Sequence, residues 1–105
     1  MMELSTRKLA QIVLMGHEMA RAEGELRAFI DGMNEDEKVE LVAVYWIGRG
    51  SFDAEDWAEA LDTARAEATT PTADYLLGSP HFPDHLEAGA EALGLDLMDD
   101  EEDLL

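Results

Sequence analysis

Behind Ser5, the positions Leu9, Ile12, Val13, Gly16 and Ala20 recur at helical spacing, while Arg7, Lys8, Gln11, Glu18 and Arg21 fall mainly off that stripe. Ser is a good N-cap, because its hydroxyl accepts a bond from a backbone N–H that has no partner inside the helix. The spacing therefore predicts a first helix beginning at Ser5. The pattern weakens around Glu23-Gly24 and resumes at Leu26, Phe29 and Ile30. That predicts a short second helical piece or a kinked continuation, ending at the Asp31-Gly32 turn.

Asn34 with Glu37 three residues on reads as a capping box, and the run Glu35-Asp36-Glu37 suits the positive end of a helix dipole. The segment that follows, Val39 to Ile47, is apolar almost all round. An element without a polar face is a buried one. Its Val, Ile, Tyr and Trp content also permits a strand. The capping signal and the lack of a convincing partner strand favour a central helix over residues 35–47. Gly48-Arg49-Gly50 is read as the turn that ends it, with a glycine free to adopt the left-handed conformation.

Phe52, Asp53, Asp56 and Trp57 have the spacing of a capped helix start with a hydrophobic staple. Trp57, Leu61, Ala64 and Ala68 would be its buried stripe. Thr70-Pro71 predicts the next start, with Thr as cap and Pro at the first helical position, and Gly78 closes that short helix. The last helix begins between Pro80 and Asp84 and runs through Leu86, Ala90 and Leu93 to Gly94. Residues 95–105 carry six carboxylates and no cation, which predicts a mobile acidic tail, with Leu95, Leu97 and Met98 available to dock locally. The whole reads as all-α: a compact orthogonal bundle of about five helices around the 35–47 helix, one domain over residues 1–94 and a tail.

Composition sharpens this. The chain has 105 residues, three Pro and no Cys, so disulfides, thiolate metal sites and cysteine nucleophiles are excluded. Seven Lys and Arg face 25 Asp and Glu, a net charge of −18, and every basic residue lies in residues 1–65. Such a chain repels phosphate backbones and anionic membranes, so no nucleic-acid or membrane partner is expected. No segment approaches the ~18 apolar residues of a membrane span, and the N-terminus lacks the pattern of a secretory signal. Those features together predict a cytoplasmic protein.

From about Leu26 to Leu93 the sequence resembles a small bacterial family catalogued as domain of unknown function 3775. The resemblance rests on Phe29-Ile30, the run EKVELVAVYWIGRG from Glu37 to Gly50, Phe52-Asp53, Asp56-Trp57, Asp74-Tyr75-Leu76-Leu77 with Pro80, and Leu86-Glu87-Ala88-Gly89. It implies a compact helical protein and carries over no catalytic residue.

Arg49 is the first candidate for a binding role. Its glycine neighbours allow close approach, and a guanidinium presents a fork to a carboxylate or phosphate. The bland alternative is a helix end whose Arg pairs with Asp53 or Asp56. Trp46, Phe52 and Trp57, with Tyr45, cluster within 13 residues; such aromatics fill a core or line a groove beside Arg49. His81 and His85 have the i, i+4 spacing of two metal ligands, but Pro83 between them places a helix start there, and no metal site is expected. His17-Glu18 resembles the start of a zinc-protease motif, which fails because position 21 is Arg. The chain offers no serine elbow and no triad, and no cofactor motif. It reads as a non-enzymatic interaction module whose partner surface includes Arg49 and the neighbouring aromatics, or the acidic C-terminal half facing a basic protein, with self-association of the chain also open. The alternative is a small-ligand or anion-binding domain using the Gly48-Arg49-Gly50 turn. An open apolar groove at Trp46 and Trp57 would favour a partner; a closed pocket with Arg49 pointing inward would favour a ligand.

Overall fold

The computed structural model describes residues 2–68, 70–98, 101 and 104. Among the described residues six α-helices follow one another: α1 (Thr6–His17), α2 (Met19–Asp31), α3 (Glu35–Arg49), α4 (Trp57–Ala66), α5 (Thr72–Leu77) and α6 (Phe82–Ala92), with a 3₁₀ turn, Ala54–Asp56, before α4. The described residues contain no strand, so the helical reading of the Val- and Ile-rich segment holds. Two of the predicted starts carry the expected side-chain caps. The Lys8 N–H donates to Ser5 Oγ at 3.1 Å, and Asn34 and Glu37 exchange bonds of 2.8 and 3.0 Å in a complete capping box.

α3 is the hub. It packs most extensively on α6 and also touches α4 and α5, while α1 lies on α2 and α6, and α2 on α5. The α3–α6 crossing is set by two glycines. A Cβ on Gly48 would sit 1.6 Å from the His85 carbonyl oxygen, and one on Gly89 would sit 2.1 Å from that of Val44. Both positions lie far inside any tolerable contact, so backbone rests against backbone on both sides of the crossing. The largest fully buried side chains include Leu41 and Val44 from α3 and Phe82 and Leu86 from α6. Each such residue contributes roughly 2 kcal/mol of burial.

The N-terminal segment is tied down by a buried carboxylate. Glu40 on α3 is 6% exposed, and its two oxygens accept from the backbone N–H groups of Glu3 and Leu4 at 2.9 and 2.7 Å. Leu4, thus held, lies in the core. At the other end Leu97 is also in the core, Leu95 packs against it, and Met98 is exposed.

Several boundaries differ from those expected. The six helices among the described residues agree with the expected bundle of about five, but α1 and α2 part at Glu18 and not at Glu23-Gly24. Gly24 sits inside α2, and Ala20 is exposed. No glycine or proline punctuates the true break; Glu18 turns the chain through ordinary dihedrals while its N–H bonds to the Met15 carbonyl. α3 runs to Arg49, two residues past the expected end, so Gly48 is helical and only Gly50, with φ of 91°, takes the left-handed position. Asp53 stands before the 3₁₀ turn and makes no side-chain cap, and α4 begins at Trp57. Pro71, not Thr70, precedes the first residue of α5. In α4, Ala60 is buried and Ala68 is exposed beyond its end.

Candidate functional site

The α3 face made by Val39, Val42 and Trp46 is the floor of an open groove of about 500 Å³, walled by the end of α4 and the loop after it and by the start of α5. Ala64, Ala68 and Tyr75 supply the apolar walls, and Lys38, Glu35 and Glu67 stand among the polar groups that line it. Val42 is half-buried, in contrast to its neighbours Leu41, Ala43 and Val44, which are fully covered. Here lies the reason α3 lacks a polar face. Three sides press on α4, α5 and α6, and the fourth is apolar although solvent reaches it. The volume falls within the ~300–1,000 Å³ typical of ligand sites.

Trp46 links this groove to a second feature. Its indole Nε1–H donates to the Tyr75 hydroxyl at 2.8 Å, and its ring lies 5.7 Å from that of Phe52. Phe52 and Trp57 are both half-buried against the core, but Trp57 pairs its ring with neither Trp46 nor Phe52 among the described residues. Of the four residues singled out, then, Trp46 meets the ring of Phe52 and is joined to Arg49 through the Tyr75 hydroxyl, while Trp57 makes no ring pair among the described residues.

Arg49 ends α3. The left-handed Gly50 turns the chain so that the Ser51 N–H reaches the Trp46 carbonyl at 2.9 Å, closing the helix. That reversal returns Ser51 Oγ to Arg49 Nε, which donates to it at 3.1 Å. Arg49 Nη1 lies 3.4 Å from the hydroxyls of both Tyr45 and Tyr75, long hydrogen bonds, and the guanidinium carbon sits 5.0 Å from the centre of the Tyr45 ring. Tyr45 is fixed in turn by Ser79 Oγ at 2.8 Å and by edge-to-face contacts with Tyr75 and His85. Partial burial works against the charge of Arg49, but its interactions with Tyr45 and Tyr75 outweigh it and hold its pKa above the ordinary value for an arginine.

The expected pairing of Arg49 with Asp53 or Asp56 does not occur: among the described residues Arg49 has no carboxylate partner. Lys8, Arg27, Lys38 and Arg65 each have one, in Glu37, Asp74, Glu35 and Asp36 respectively. Nor does Arg49 lie on a glycine turn pointing into a closed pocket. It stands on the last helical turn, outside the groove, and touches it through Tyr75.

His81 and His85 diverge. His81 precedes α6 with its Nδ1 4.0 Å from Asp84, whereas His85 lies against Tyr45. Nothing in the local pattern foretells the meeting of His17 with Glu87 on α6, 70 positions on. His17 Nε2 is 2.7 Å from Glu87 and 4.0 Å from Asp84, all three exposed. Nearby Glu101 has its carboxyl pushed above 4.5 by burial and by the charge of Glu87, with His17 opposing.

The family model described as protein of unknown function (DUF3775) matches residues 23–95, which run from within α2 through α6. The chain belongs to DUF3775. The DUF3775 match takes in the groove, Arg49 and its tyrosines, and leaves α1 outside. No curated protein and no solved structure matches the chain.

Proposed function

We propose that this DUF3775 protein is a non-enzymatic interaction module, working in the cytoplasm, that receives apolar side chains of a protein partner in the groove floored by Trp46. The open, apolar fourth face of α3 carries this reading. A half-exposed Val42 beside a tryptophan whose polar atom is already satisfied by Tyr75 is a surface made for contact with carbon. Charge supplies the partner's other property. With a net −18 and Glu35 and Glu67 at the groove, the segment that docks is apolar with basic flanks. No helix among the described residues is long and apolar enough to cross a membrane.

The test is a peptide-display selection against wild type, repeated with Ala68→Arg. Ala68 lines the groove and is exposed, so the variant fills the groove without touching the core. Wild type should enrich peptides with aliphatic or aromatic residues beside Lys or Arg, and Ala68→Arg should bind them at least about tenfold more weakly, as the loss of one well-packed contact requires. Peptides bound equally by both proteins would move the partner surface elsewhere. A wild-type dimer that Ala68→Arg converts to a monomer would make the occupant a second copy of the chain.

A further inference from the structure

We propose that the groove's occupant carries a carboxylate, seated on Arg49 and Tyr75 at the end of the groove where Trp46 and Tyr75 meet. The inference rests on the groove being a binding site and names the polar anchor of what binds there.

Its basis is a cation left with neutral company. In a chain with 25 carboxylates, Arg49 is fixed by two phenols, one serine hydroxyl and a ring face. Those contacts hold the guanidinium in place without neutralising it, and they use Nε and Nη1 only. Nη2 has no acceptor among the described residues. Neither does the Tyr75 proton: the Tyr75 hydroxyl accepts from Trp46 Nε1 and from Arg49, and nothing accepts from it. Two donors, one of them charged, therefore stand free on neighbouring side chains. Tyr75 lines the groove itself, so an oxyanion held by them belongs to a molecule whose apolar part can lie over Trp46 and Val42.

The charge balance selects the anion. Lys38 in the groove is already paired with Glu35, so Arg49 offers one unneutralised charge in a field of −18. That matches a monoanion, whereas a dianionic phosphate would oppose the field with a second charge. A guanidinium N–H and a phenol O–H on neighbouring side chains offer two donors to the two oxygens of a carboxylate. The occupant is the C-terminus of a partner peptide, an apolar residue ending in a carboxylate, and a free acid is an outcome of the test.

Nitrogen-edited NMR titrations read both halves of the site. The groove is reported by the N–H signals of Val42 and Ala68 and the Trp46 indole, and the anion contact by Arg49 Nε–H and Ser51. Two matched probe pairs are used: hexanoate against hexanamide, and N-acetyl-leucyl-leucine against its C-terminal amide. N-acetyl-leucyl-leucine should move both sets of signals and bind about tenfold or more tightly than its amide, with Arg49→Gln removing that preference. A preference in hexanoate alone would overturn the peptide terminus as occupant and make it a free acid. Amides that bind the groove as well as their acids would overturn the inference and leave the groove reading standing. If no probe moves the groove signals, the reading it rests on falls with it. Inorganic phosphate shifting Arg49 as strongly as hexanoate would also overturn it.

Discussion

Glu37 and Glu40 stand one helical turn apart on α3, are equally buried, and hold down different parts of the chain. Glu37 closes the capping box and pairs with Lys8 Nζ at 2.6 Å, so its carboxylate is charged, bonded and covered at once. The Lys8 hydrogen bond, helped by Asn34, holds its pKa below the ordinary 4.5 against the opposing effect of burial. A carboxylate whose pKa is depressed on folding stabilises the fold above its unfolded pKa, and the contribution is lost as pH falls through the lower folded value. Urea midpoints of wild type and Glu37→Gln should therefore differ at pH 7 and converge below pH 4.5, whereas a gap independent of pH would place the residue's value in packing alone. Glu40 acts through two backbone donors, and Glu40→Gln should lower stability by about 2 kcal/mol, since the amide N–H₂ faces a donor in place of accepting from it. An unchanged urea midpoint would mean that the N-terminal segment docks without it. The capping box was legible because both partners lie within four residues. Glu40 was not, because its partners are 36 and 37 positions away.

The crossing of α3 and α6 governs the element scale. Gly48 and Gly89 are the positions where the two backbones approach, and only a missing Cβ allows it. Gly48→Ala and Gly89→Ala should each cost at least about 3 kcal/mol, because the obstacle is backbone carbonyl and not a side chain able to turn away. Gly24→Ala is the matched control. It lies in the interior of α2 with nothing within 4 Å of its Cβ, and should raise stability by about 1 kcal/mol. Thermal unfolding of the three variants reads the contrast, and similar shifts in all three would remove the close crossing from the account. Helix identity was legible from caps and spacing, but Gly48 was misread as a terminator. A glycine before Arg-Gly carries the local signature of a helix end, and the backbone that presses on it belongs to His85, 37 positions later. The Glu18 break was missed for the opposite reason, since no residue there is a recognised breaker.

At the scale of the whole molecule, the acidic charge and the apolar groove occupy one small body with a radius of gyration of 12.5 Å. The sequence singled out Trp46 and Arg49 and did not reveal Tyr75, whose hydroxyl joins them from another helix 26 and 29 positions on. It also read α3 as fully enclosed, because an apolar residue looks the same in a sequence whether a neighbour covers it or a groove exposes it. Two faces of the molecule compete as the partner surface. One is the groove; the other is the acidic side of α6, with Asp84, Glu87 and Glu91 lining a second depression of about 430 Å³. The deciding measurement is NMR shift mapping of wild type with a peptide enriched from the display selection. The account predicts saturable shifts at Val39, Val42, Ala68, Thr72 and the Trp46 indole, with the α6 signals unmoved. Shifts confined to Asp84, Glu87 and Glu91 would contradict it and make the protein an acidic docking surface whose groove is incidental.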